Sequence, residues 1–160
     1  MRLFDIRGID LSSVPETLRS KTVICANWEE AFNEADIVFT CTVSDQRYIN
    51  RKPKPGSLLL HVSLRDYLPQ SLEAVNRIIV DDWQEVNRED TDIELMANAG
   101  KLCESQTRTI AQVVSGDALS GLAVHDTVMF APMGMAVFDI AIASYYVKLA
   151  RQKGIGIVLE

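Results

Sequence analysis

Short apolar runs rich in β-branched side chains recur along this chain, separated by helical patterns, and constrain its fold more than any other feature. The clearest is Ile37-Val38-Phe39-Thr40-Cys41, within a strand predicted over 36–42; others fall at 2–6, 22–26, 57–62, 77–81 and 126–131. A strand with one face in water alternates apolar and polar residues. One without alternation is covered on both faces, as in a parallel sheet sandwiched by helices. Between the runs the spacing turns helical. Asn27 can cap a helix to which Glu30 reaches back, with Trp28, Ala31, Phe32 and Ala35 on one face. A short helix is predicted over 69–76, with Leu72 and Val75 inward, and an acidic helical stretch over 83–100, broken where Asp90 can cap its second part. A further short helix covers 109–114. A long one over 134–153 carries Met135, Phe138, Ile142, Tyr145 and Leu149 on an apolar face and stops at Gly154. This alternation defines an α/β fold: an open, doubly wound, largely parallel sheet of about six strands.

The chain has 160 residues, one domain's length, with no internal repeat or linker. Sixteen basic against twenty-two acidic residues leave a net charge of -6, which argues against nucleic acid or an anionic membrane as partner. No apolar run approaches the ~18 residues that span a bilayer. Charges interrupt the first seven residues, so no signal peptide is expected and the expected location is the cytoplasm. Cys25, Cys41 and Cys103 are scattered, with neither a disulfide framework nor metal-ligand spacing, and read as reduced core thiols.

In open parallel sheets ligands bind beyond the carboxyl ends of the strands. Asp5 closes the first run and either accepts hydrogen bonds from ribose hydroxyls or shapes the turn to Gly8; Arg7 can instead meet a 2′-phosphate. Thr40, Thr42 and Ser44 offer hydroxyls at the end of the third run, as groove lining or as ordinary strand and turn residues. Ser63, Leu64, Arg65 and Asp66 follow the fourth run. Asp66 can accept a proton from water or an amine, or Arg65 and Asp66 can form a structural pair. His61 reads as a core histidine and His125 as a loop residue. Met133 and Gly134 join the last strand to the long helix, where small residues admit a flat ring. The sequence contains no Gly-x-Gly-x-x-Gly, and the segment ending in Asp5 has the character of a second strand in such a fold.

Taken in order, several pieces resemble the ornithine cyclodeaminase and μ-crystallin family: 30–38, Thr40 to Ser44, Pro55-Gly56, and the stretch from Gly134 through Gly156. Val62-Ser63-Leu64-Arg65-Asp66-Tyr67 and Pro132-Met133-Gly134-Met135-Ala136 are most similar to the branch that makes 2,3-diaminopropionate for siderophores and other non-ribosomal peptides. The resemblance implies a partial dinucleotide-binding, Rossmann-like domain over 1–160 with a long C-terminal helix, lacking its first strand. The glycine-rich loop and a substrate-binding half would lie upstream, and the whole would be a homodimer or would depend on a complementary chain. It implies NAD as cofactor, held by Asp5, Arg7, Thr40, Thr42, Ser44, Ser63, Leu64, Met133 and Gly134. Asp66 is implied as the catalytic residue, although the family's Gly-Gly-Asp-Cys-Pro surroundings are absent. The implied substrate is an amino acid, N-(1-amino-1-carboxy-2-ethyl)glutamate, cleaved oxidatively to 2,3-diaminopropionate and 2-oxoglutarate. Ornithine cyclodeaminase, a cyclic-imine reductase, or a non-catalytic interaction module are the alternatives. The missing central strand should leave a gap in the sheet or force a local re-pairing, and the isolated chain should be marginally stable or depend on a partner chain, and be inactive.

Overall fold

The computed structural model describes residues 1–157, and strands alternate with helices through most of it. The strands are β1 (Arg2–Leu3), β2 (Val23–Ile24), β3 (Ile37–Thr40), β4 (Leu58–His61), β5 (Arg77–Val80), β6 (Thr107–Thr109) and β7 (Val128–Ala131). All their pairings are parallel. The helices are α1 (Glu16–Arg19), α2 (Trp28–Phe32), α3 (Pro69–Leu72), α4 (Trp83–Val86), α5 (Asp92–Asn98), α6 (Ile110–Ser115) and α7 (Ala136–Lys153).

The sheet comes in two pieces. β1 pairs only with β2, whereas the other five strands lie in the order β3-β4-β7-β5-β6. The helix α2 links them in sequence, and the Arg2 guanidinium fastens it to β1 by donating to the carbonyls of Glu30 and Asn33, both at 2.7 Å. The expected cap is present: Asn27 Oδ1 accepts from the Glu30 N–H at 2.9 Å, while Glu30 Oε2 accepts from the Ala26 N–H at 3.0 Å. The core lies under the larger piece, where Leu59, Val80, Val86, Ile93, Met129 and Ala131 are all sealed from solvent. Each large apolar side chain so buried contributes about 1.5–3 kcal/mol. The smaller piece has little of this support, since Val23 and Ile24 are both exposed.

Four expectations need correcting. The strand β6 was not expected, because Thr107-Arg108-Thr109 is no apolar run; as the outermost strand it pairs with β5 alone, and a short polar segment suffices at an edge. The cap of α5 is Thr91, whose Oγ1 accepts from the Glu94 N–H at 3.0 Å, and not Asp90. Of the cysteines only Cys25 is a core thiol; Cys41 and Cys103 are exposed. The helix α7 ends as expected at Gly154, left-handed at φ 64°, with the Ile155 N–H reaching Ala150 O at 3.0 Å. Its apolar face, however, is not packed: Phe138, Ile142 and Tyr145 are exposed, and no α7 residue is buried among those described.

Candidate functional site

Because all strands run parallel, the segments after β3, β4, β5 and β7 gather at one edge of the larger piece. Asp66 lies there, but inward. Its side chain has no exposure; Oδ1 accepts from the Thr42 hydroxyl and Oδ2 from the Ser63 hydroxyl. Thr42 is exposed and Ser63 half-exposed, so these two hydroxyls separate the carboxylate from the crevice. The backbone reaches this arrangement through Leu64, a non-glycine residue in the left-handed region at φ 63° whose side chain is buried. That conformation costs on the order of 1 kcal/mol and persists where surrounding packing enforces it. The sharp turn separates Ser63, beside the crevice, from Asp66, in the interior.

Behind Asp66 sits a second buried carboxylate that the sequence did not single out. Asp92 Oδ2 accepts from the backbone N–H groups of Asp66 at 3.0 Å and Tyr67 at 2.8 Å, and lies 2.8 Å from His61 Nε2. Its Oδ1 accepts from Arg47 Nε at 2.6 Å. A carboxylate can only accept, so His61 donates through Nε2, while its Nδ1 lies 2.8 Å from Thr40 Oγ1. His61 Nδ1 is also 3.7 Å from Asp66 Oδ2. Burial works against the Arg47 charge, but Asp92 and Asp90 more than offset it and hold the guanidinium above its usual range. A buried ion pair of this kind is tolerable because nearly every polar atom in it has a partner. One does not: the Tyr67 hydroxyl, sealed beside His61, is unpaired, and burial drives its ionisation well above the usual tyrosine range.

The other expected residues divide. Thr40 is turned into the core against His61 and does not line the crevice. Arg65 is exposed and forms no pair with Asp66. Ser44 bonds locally, its hydroxyl donating to Gln46 O at 2.5 Å. Asp5 accepts from the backbone N–H of Arg7 at 2.8 Å and from its guanidinium at 3.2 Å; that hydrogen bonding holds its carboxyl below the usual range. Arg7 is thereby engaged by Asp5. Gly134 is left-handed at φ 86° and opens onto free space, and its N–H donates to Asp81 Oδ2 at 2.6 Å, with Met133 N–H on Oδ1 at 3.2 Å. Asp81 was read only as a strand end, yet it fixes the segment leading into α7. His61 is a core histidine as expected, and His125 is exposed. Among the described residues, no cluster of His, Cys, Asp and Glu could hold a metal ion, and no helix is long and apolar enough to cross a membrane.

A parallel sheet flanked by helices, with hydroxyls, a left-handed turn and an open glycine at the carboxyl ends of its strands, is of the open α/β class, in which ligands bind at that edge. The profile of the ornithine cyclodeaminase/mu-crystallin family matches residues 2–154, and this chain belongs to that family. It is 32% identical over 136 residues to the N-((2S)-2-amino-2-carboxyethyl)-L-glutamate dehydrogenase of Staphylococcus aureus, covering 84% of this chain and 40% of that protein. It is 23% identical over 153 residues to a Delta(1)-pyrroline-2-carboxylate reductase of Bacillus cereus, covering 92% of this chain and 47% of that protein. The chain thus spans less than half the length of these relatives. In fold it matches the Thermococcus litoralis Delta(1)-pyrroline-2-carboxylate reductase, solved with NADH and L-proline, at a TM-score of 0.74 and 18% identity, over 99% of this chain and 52% of that one.

Proposed function

We propose that this chain is the cofactor-binding, partial Rossmann-like portion of an NAD-dependent oxidoreductase that cleaves N-(1-amino-1-carboxy-2-ethyl)glutamate to 2,3-diaminopropionate and 2-oxoglutarate. The identity to the S. aureus dehydrogenase favours this substrate over a cyclic imine. The observation that carries the chemistry is the hydroxyl-shielded carboxylate, Asp66 behind Thr42 and Ser63.

The residues present suit part of NAD. Asp5 offers ribose acceptors and leaves Arg7 paired, which favours NAD over a 2′-phosphorylated cofactor. Thr42, Ser44, Ser63 and Leu64 would border the groove, and Met133 with Gly134 would leave room for a flat ring. Bound NAD supplies one capacity, acceptance of a hydride from the substrate α-carbon. The protein's own residues serve the hydrolytic half of the reaction. Oxidation leaves an imine that water must attack. Water can pass a proton to Ser63 Oγ as Ser63 passes its own to Asp66 Oδ2. Asp92 keeps Asp66 in place through the two backbone N–H groups it accepts. Asp66 and Ser63 are thus the proton-handling residues, and Asp92 and His61 are positioning residues.

A chimera tests this: the matched region of the S. aureus dehydrogenase is replaced by the corresponding residues of this chain. Supplied with NAD and the glutamate conjugate, it should release 2-oxoglutarate and NADH in equal amounts, and Asp66→Asn should cut the rate by roughly a hundredfold or more. NADH-dependent reduction of Delta(1)-pyrroline-2-carboxylate without 2-oxoglutarate release would move the chain to the reductase reading. A folded chimera active on neither would sink the oxidoreductase reading.

A further inference from the structure

Asp66, Asp92 and His61 have no exposure at all, and the charges around them do not cancel. The two carboxylates bring two negative charges; the Arg47 guanidinium, only 15% exposed, brings one positive. With a neutral His61 the group therefore holds one uncompensated negative charge away from water, which a single proton would neutralise. The hydrogen bonds narrow where that proton can go. Asp92 Oδ2 already accepts from His61 Nε2 and from the backbone N–H groups of Asp66 and Tyr67, so a proton there would displace a donor. A proton on Asp92 Oδ1 would face the Arg47 cation at 2.6 Å. Asp66 is less committed, since its carboxylate accepts only the Thr42 and Ser63 hydroxyls. His61 spends Nε2 on Asp92, which leaves Nδ1, 3.7 Å from Asp66 Oδ2.

Thr40 makes Nδ1 usable in both states. Its hydroxyl, 2.8 Å away, can donate to a bare Nδ1 and, after turning, accept from a protonated one. The nearest phenols, Tyr67 edge-on to the imidazole at 4.8 Å and Tyr48, add no charge, because burial raises the ionisation of both. We propose that His61 is a second seat for the proton that Asp66 handles: a proton reaching Asp66 Oδ2 passes to His61 Nδ1 and returns by the same path. The carboxylic acid reverts to carboxylate as the imidazole becomes imidazolium, no other bond changes, and no co-reactant is needed. Closing 3.7 Å to hydrogen-bond length takes a shift of about 0.7–1 Å. The inference rests on the hydrolytic reading above and deepens it. The proton that water gives up through Ser63 is held on His61 while the carbon–nitrogen bond is broken, and then returns to the departing amine nitrogen. His61 acts only through Asp66, and so remains a positioning residue.

Two measurements test it, and the first needs no turnover. The chain has two histidines, His61 and the exposed His125, so nitrogen-15 labelling of histidine reads both imidazoles by nuclear magnetic resonance. Nε2 of His61 should carry a proton throughout, and Nδ1 should gain one on acidification. In Asp66→Asn, which removes the negative partner and keeps its shape, that gain should need roughly tenfold more acid or beyond, with His125 unchanged. A gain at the same acidity in both proteins overturns the proposal, as does an Nδ1 that stays bare until the chain unfolds. The second measurement uses the S. aureus chimera with His61→Gln, whose amide keeps a donor toward Asp92 but cannot take up a proton. NADH should form in the first turnover at the wild-type rate, while 2-oxoglutarate release slows by roughly tenfold or more. Both steps slowed alike, or neither slowed, would make His61 purely structural and overturn the proposal. Should the wild-type chimera turn nothing over, the reaction falls, and the imidazole measurement alone decides whether Asp66 and His61 share a proton.

Discussion

Tyr48 sits half-buried edge-on to Trp28, ring centroids 5.7 Å apart, and its phenol is pushed up to about 12, by burial first and by the Asp66 charge second. An exposed tyrosine ionises near ~10. The folded state therefore holds this proton more tightly than the unfolded state does. The resulting stabilisation is complete below pH ~10 and is lost as pH rises toward about 12. Unfolding free energies from urea titrations should fall across that window, and fall less steeply in Tyr48→Phe. Identical pH slopes in the two proteins would show that Tyr48 ionises freely when folded. Tyr67 is raised by burial in both proteins and so contributes to both slopes.

At the scale of elements, the loops after the strands depend on side chains at strand ends. Asp81, directly after β5, accepts from the N–H groups of Asp82, Met133 and Gly134, the last at 2.6 Å, and so ties the start of the α7 segment to the neighbouring strand. Asp81→Ala should cost about 1–3 kcal/mol in stability and speed amide exchange at Met133 and Gly134 ahead of the rest of the sheet. Unchanged exchange there would show that the segment is held by other contacts. Such tethers explain what the sequence did and did not disclose. The unalternating runs at Ile37 and Leu58 announced parallel strands, but the expected cover on both faces holds only for the second, since Ile37 and Phe39 are exposed. Asn27 and Glu30 announced a cap because the partners are three residues apart. Asp92 left no mark, since its partners His61, Arg47 and the Asp66 N–H are 25 or more positions away and only the fold brings them near. Asp66 was legible as a residue of interest but not as a buried one, because the left-handed turn at Leu64 has no glycine to signal it. The apolar spacing of α7 was legible too, but spacing cannot say whether a partner face lies within the same 160 residues.

For the whole molecule, the division of the sheet bears directly on cofactor affinity. Strong dinucleotide binding draws heavily on backbone N–H groups and a helix N-terminus around the pyrophosphate, and these 160 residues contain no Gly-x-Gly-x-x-Gly to provide them. What the chain can offer on its own are contacts at Asp5, Thr42, Ser63 and Gly134, each hydrogen bond worth roughly 0.5–1.5 kcal/mol net. Several of those groups are already engaged: Asp5 by Arg7, Thr42 and Ser63 by Asp66, and the Gly134 N–H by Asp81. Binding NAD would exchange these bonds as much as add to them. Against the remainder stands the loss of translational, rotational and internal freedom of a flexible dinucleotide, on the order of several kcal/mol. Calorimetric titration of the isolated chain should therefore show binding no tighter than about millimolar. A dissociation constant in the low micromolar range would mean that the chain already holds the pyrophosphate through groups other than a glycine-rich loop.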